Sequence, residues 1–186
     1  MLAAEHKVEH RCEDLIALFH DTFFHDFCTV LVGGADEPLY LPAEGDIPAR
    51  IFFRLNYFSS ALHEISHWLI AGEQRRLTED YGYWYCPDGR DMLQQQAFER
   101  VEVAPQALEW FLTRACRRRF RLSVDNLQGE VGDTRPFAEA VYTETQRLAE
   151  QGLSPRTRDF HKALRRFYGS DMPKASDFSL DEIYTP

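Results

Sequence analysis

The chain has no apolar run approaching the roughly 20 residues that a membrane-spanning helix needs. Its opening residues, Met1-Leu2-Ala3-Ala4-Glu5-His6-Lys7, lack the basic-then-apolar layout of a secretory signal. Its four cysteines, Cys12, Cys28, Cys86 and Cys116, are scattered and form no CxxC pair. A dense disulfide framework is thereby excluded, and reduced, mostly buried thiols in a cytoplasmic protein are the expectation. Basic residues are also in short supply: 21 Lys and Arg against 30 Asp and Glu leave a net charge of -9. That balance argues against nonspecific nucleic-acid binding, so no direct nucleic-acid partner and no membrane are expected. There are no internal repeats, low-complexity linkers or composition breaks, and the 186 residues read as one domain, 1–186, able to bury a sizeable core.

What is present is patterned. Val8, Cys12, Leu15, Ile16, Phe19 and Phe23 recur at helical spacing. Cys28-Thr29-Val30-Leu31-Val32, ended by Gly33-Gly34, predicts a strand and a turn, and Leu39–Leu41 and Ile51–Phe53 predict two short ones. A helix capped by Ser59 or Ser60 and ended by Gly72 is expected next. Helical patterning resumes near Asp91 and runs toward Val103, Pro105 is placed to begin a new helix, and Phe120–Leu127 suggests a strand. Helices entered at Pro136 and at Ser154-Pro155, the latter closed by Gly169, precede a loop-like tail. The expected class is α+β, helix-rich around a small sheet, with a zincin-like helix carrying the motif described next.

His63-Glu64-Ile65-Ser66-His67 writes H-E-x-x-H within the second of these helices. Four residues advance a helix by slightly more than a turn, so both imidazoles leave one face and can grip one cation. Glu64 stands beside the first ligand, where it could move protons. Two histidines rarely hold a catalytic metal alone. The third donor is sought in Phe98-Glu99-Arg100-Val101-Glu102-Val103, whose two carboxylates share a helical face amid apolar residues. Glu102 is the first choice and Glu99 the second; His161 is remote in sequence. Two histidines and one carboxylate suit two chemistries. With zinc they make a peptidase or amidase in which Glu64 is the general base. With iron they form a facial triad open to oxygen and substrate. A metal serving only as a structural staple is disfavoured, since structural zinc prefers cysteine and none lies near the histidines.

Between the histidines and the glutamates lies Tyr81-Gly82-Tyr83-Trp84-Tyr85-Cys86-Pro87-Asp88-Gly89-Arg90, a strand-like aromatic run closed by a turn. Aromatic segments of this kind most often pack as core. A functional reading makes one face a cleft wall, with Tyr83, Tyr85, Asp88 and Arg90 gripping a polar or cationic substrate. The block Arg114-Ala115-Cys116-Arg117-Arg118-Arg119-Phe120-Arg121 has the plain reading of cations at a helix end and the functional one of a docking patch for an acidic partner.

Taken together, the H-E-x-x-H-W motif at His63–Trp68, the Tyr81–Asp91 block, Phe98–Leu108, Asp125–Gly129 and Asp36–Ala43 resemble the elongation factor P hydroxylase family. The aromatic Cys-Pro-Asp-Gly-Arg block is far more specific than H-E-x-x-H alone. The resemblance implies a metal-dependent oxidoreductase that hydroxylates the β-lysylated lysine of elongation factor P in the bacterial cytoplasm. It also implies a divalent metal ion, iron by this reading, held by His63, His67 and a downstream glutamate, with molecular oxygen as co-substrate. Under it, Arg117, Arg118, Arg119 and Arg121 would steer an acidic protein substrate by long-range attraction.

Overall fold

The computed structural model describes residues 9–79, 89–124 and 132–184. The first helix, α1 (Cys12–Phe27), buries Cys12, Leu15, Phe19 and Phe23, a stripe one turn apart at each step. It ends at Cys28 in the left-handed region (φ 45°), which turns the backbone directly into β1 (Thr29–Ala35). β2 (Leu39–Leu41) and β3 (Ala49–Arg54) complete a three-stranded sheet of order β1-β3-β2, so the three expected strands are present. β3 pairs in parallel with β1 (Leu31 opposite Ile51) and antiparallel with β2 (Tyr40 opposite Ile51). Gly33 sits where the sheet meets its own core: a Cβ there would lie 2.7 Å from the Phe53 ring and 2.6 Å from Asn56 Oδ1.

The motif helix is α2 (Phe58–Ile70). Its entry differs from expectation: Tyr57 precedes it and makes no capping bond, and Ser60 Oγ instead accepts from the Arg54 amide at 3.0 Å. The exit comes at Ala71, one residue before Gly72, because two arginines satisfy its last carbonyls. Arg156 donates to Leu69 O at 3.0 Å and Ala71 O at 2.6 Å, and Arg76 to Ala71 O at 2.6 Å. These cations also stand at the negative end of the helix dipole. Trp68 on α2 packs its ring 5.1 Å from Phe19 and 4.9 Å from Phe23, fixing the rotation of α2 against α1.

The largest departure is α3 (Met92–Ala115), a single helix that carries Pro105 in its interior. Pro105 was expected to start a helix; it instead forfeits the one amide bond it would make to Val101. A reciprocal Asp91–Gln94 capping box nucleates the helix upstream, with bonds of 2.9 and 3.0 Å. Downstream, every residue from Pro105 to Thr113 is buried, so packing outweighs the proline penalty. The expected strand at 120–127 is not formed over 120–124, and 125–127 lie outside the described residues. There the Gln106 side chain takes the place of a neighbouring strand, donating to Ser123 O at 2.7 Å and accepting from Ser123 N at 3.0 Å. α4 (Arg135–Gln151) is entered at Pro136 as expected, and α5 (Pro155–Tyr168) begins and ends as expected, with Ser154 at its cap and Gly169 at φ 64° behind it. The tail adds a short α6 (Leu180–Tyr184) where a loop was expected. Among the described residues no helix is long and apolar enough to cross a membrane.

Candidate metal centre

Leu62, Ile65 and Leu69 bury one face of α2 in the core, which leaves His63 and His67 facing α3. α3 answers with Glu102, whose side chain is 3% exposed. His63 Nε2 and His67 Nε2 lie 3.0 Å apart. Glu102 Oε2 is 3.4 Å from the first and Glu102 Oε1 is 3.3 Å from the second. One donor atom from each of the three residues falls within 4.8 Å of the others. Glu99, the second choice, does not join them; it is engaged by Gln95 Nε2 at 3.1 Å on its own helix.

The arrangement fits a divalent cation on three counts. Two imidazole lone pairs cannot face each other at 3.0 Å without a proton or a metal cation between them, and a cation serves both rings at once. Donors bound at about 2.0–2.1 Å stand about 3 Å apart around one ion, as these do. Glu102 Oε2 is buried and accepts no hydrogen bond, an orphaned anionic oxygen that a cation would satisfy. Imidazole and carboxylate donors without thiolate suit iron or zinc.

A residue not picked out by sequence reading orients the first histidine. Glu109, 7% exposed, places Oε2 2.9 Å from His63 Nδ1. The ring then donates from Nδ1 and turns the Nε2 lone pair toward His67 and Glu102. The signal was available: Glu102, Gln106 and Glu109 are spaced at four and three residues, one stripe of one helix. Assigning Pro105 to a new helix start broke that stripe in two.

The electrostatics follow from burial and neighbours. Burial alone would lower the His63 pKa, but Glu102 and Glu109 outweigh it and raise it to about 10. Burial pushes Glu102 up, and the imidazoles of His67 and His63 more than reverse this, holding it at about 2. Glu64 is shifted upward by burial, which the same imidazoles oppose.

His63, Glu64, Glu102 and Glu109 line a cavity of about 820 Å³ whose wall also includes Arg54, Arg118, Arg119 and Arg121. The basic block is therefore partly a helix end and partly a wall of this cleft, with Arg114 turned instead to Glu182 at 3.3 Å. Glu64 and His67 also border a second, water-sized cavity beneath Tyr40 and Trp68. Arg90 is 2% exposed, bonded through Nε to Gln95 Oε1 at 2.9 Å and stacked 3.9 Å over Phe98, which lines the cleft. In this position it backs the wall, where the sequence suggested a direct grip on substrate. Tyr83, Tyr85 and Asp88 lie outside the described residues. His161 is buried against Phe111, on a part of α5 that does not contribute to the cleft.

A family model described as elongation factor P hydroxylase matches residues 18–178. An elongation factor P lysine hydroxylase from Haemophilus influenzae is 51% identical over 165 residues, covering 88% of this chain and 93% of that protein.

Proposed function

Because the chain belongs to the elongation factor P hydroxylase family, we propose that it hydroxylates a lysine of elongation factor P from one metal-dependent domain spanning 1–186. The reaction inserts one oxygen atom of O2 into a carbon–hydrogen bond of the lysine. The other oxygen leaves as water, for which an external donor supplies two electrons and the solvent two protons. The observation that carries this reading is the meeting of His63, His67 and Glu102 at one point, with His63 and Glu102 lining the open cleft. Three protein donors leave positions free, as a catalytic rather than structural metal requires.

In this reading His63, His67 and Glu102 hold the metal, which is iron and supplies oxygen activation when bound. Glu109 fixes the His63 ring. Glu64, bordering the cleft beside His63, holds and passes protons at its carboxylate. A β-lysylated lysine is a long, flexible cation, and a cleft of about 820 Å³ is within the range that binds extended side chains. Acidic residues at the metal end of the cleft would receive its ammonium groups, while Arg118, Arg119 and Arg121 would meet acidic residues flanking it. Tyr83, Tyr85 and Asp88 are kept as candidate substrate contacts. The protein would act in the cytoplasm, where its substrate is translated and used.

The test is mass spectrometry of elongation factor P from cells whose only copy of this protein is His63→Ala or Glu102→Ala. Loss of the 16-dalton addition, about one oxygen atom, is expected from both variants. Full modification in either would overturn the assignment.

A further inference from the structure

A third concave site lies on α5, and it shares no lining residue with the metal cleft. Arg158, Lys162, Arg165 and Arg166 line an open cavity of about 580 Å³, whose wall also includes Leu153 and Met172. Arg158, Lys162 and Arg165 are spaced at four and three residues, so they project from one face of the helix. Among the described residues no carboxylate pairs with any of the four cations. In a protein of net charge -9 such a group of cations, with no counter-ion among the described residues, is conspicuous.

The helix dipole explains only part of it. Arg165 and Arg166 stand in the last turn of α5, where cations are favoured. Arg158 is within the first turn, where a cation is disfavoured, so its position needs another reason. Two of the guanidinium groups are already held: Arg158 Nη2 donates to Leu153 O and Arg165 Nε to Ser170 O, both at 3.3 Å. Such anchoring reduces the entropy lost when the remaining N–H groups engage an anion. Behind them His161 is 2% exposed, and its buried Nε2 has no hydrogen-bond partner. Burial, and after it the neighbouring Arg165 cation, push its pKa down to about 4.

We propose that this cavity binds the phosphate group of a small phosphorylated molecule. Guanidinium forks match phosphate oxygens in pairs, Lys162 adds a point charge, and Leu153 and Met172 offer an apolar surface to the rest of the ligand. The volume suits a mononucleotide-sized molecule.

The experiment uses the full-length protein in phosphate-free buffer at low salt. Inorganic pyrophosphate and adenosine monophosphate are titrated calorimetrically into the wild type, Arg158→Glu/Lys162→Glu and the milder Lys162→Gln/Arg166→Gln. Arg119→Glu/Arg121→Glu serves as the control for the other basic wall. Binding to the wild type and to the cleft control, weakened tenfold or more in both α5 variants, is the expected result. The two α5 variants alter exposed side chains, and circular dichroism checks each fold; the neutral pair suffices if the reversed pair unfolds. No binding at millimolar ligand, or equal binding by wild type and α5 variants, overturns the proposal. A short RNA that binds through these residues where adenosine monophosphate does not would overturn it too, by reassigning the face to a polymer.

Discussion

Glu109 is the most informative residue to perturb, because its proposed effect on the metal passes entirely through His63. Its Oε2 lies 2.9 Å from His63 Nδ1 and is not one of the three donors that converge. Glu109→Gln keeps the shape and an accepting oxygen but removes the charge. Glu109→Ala removes both and leaves the ring free to rotate. Partners of this kind contribute about 10–100-fold to metal affinity, or about 1.4–2.7 kcal/mol. The expected order is thus wild type, then Gln near the lower end of that range, then Ala near the upper end. Competition with a chromophoric chelator, using anaerobic ferrous iron and then cobalt, gives the dissociation constants. Thermal melts confirm that each variant is folded. Wild-type affinity in both variants would refute the orienting role. Complete loss of metal in Glu109→Gln would refute it differently, by making Glu109 a direct ligand.

Glu102→Ala should weaken metal binding beyond the about 100-fold limit of an orienting residue, whereas Glu99→Ala should stay within about twofold, as a partly exposed group bonded to its own helix allows; equal losses would sink the choice between them. Reversing Arg119 and Arg121 should raise KM for the protein substrate on the order of tenfold at low salt with kcat little changed, the difference fading at high salt; a salt-independent KM would argue against a charged wall. His161 stays neutral in the fold down to about 4 but titrates near 6.5 when unfolded. Its contribution is therefore intact above pH 6.5 and lost as the pH falls toward 4, on the order of 3 kcal/mol, and His161→Phe should flatten that acid limb of a denaturation series. His63 is held protonated up to about 10, so metal binding near pH 8 should release about one proton; calorimetric heats identical in buffers of different ionisation enthalpy would contradict this.

Local spacing made the two histidines legible: their separation of four residues has one geometric meaning on a helix, and α2 realises it. The strands at 29–35, 39–41 and 49–54 were legible for the same reason, a short β-branched or aromatic run bounded by turns. Pro105 misled because proline is a local rule and α3 is held by non-local packing. The penalty of about 3 kcal/mol is set against a continuous buried face reaching from Glu102 to Thr113. The segment 120–124 misled similarly: its apolar alternation is real, but at Ser123 and Val124 the backbone is met by the side-chain amides of Gln106 and Gln95 rather than by a strand. The role of the arginine block was not decidable from sequence. Only the fold reveals that the backbone after α3 turns back, through Arg117 at φ 55°, to line the cleft that α3 opens.

One unbroken α3 has a consequence for the charge of the site. Glu102 and Glu109 ride two turns apart on the same rod, and Glu64 joins them from α2, so three carboxylates surround two imidazoles in a buried space. With both imidazoles neutral and all three carboxylates ionised, that group would carry three negative charges against none. Burying such an excess is costly unless a cation enters. The protein's own response is to draw a proton onto His63, which Glu102 and Glu109 hold there against burial. A proton and a divalent ion would thus compete for the same nitrogen lone pair, and an ion held by His63, His67 and Glu102 would bring twice the charge and satisfy the buried Glu102 Oε2 as well. A hydrolytic or oxidative centre could share these donors, but a site intended to remain metal-free would have little reason to gather three acids. The same excess explains why the arginines stand at the wall and not at the floor. Placed among the acids they would neutralise them and compete with a cation; placed along the cleft they leave the centre negative and, under the proposed function, would attract an acidic protein substrate toward it.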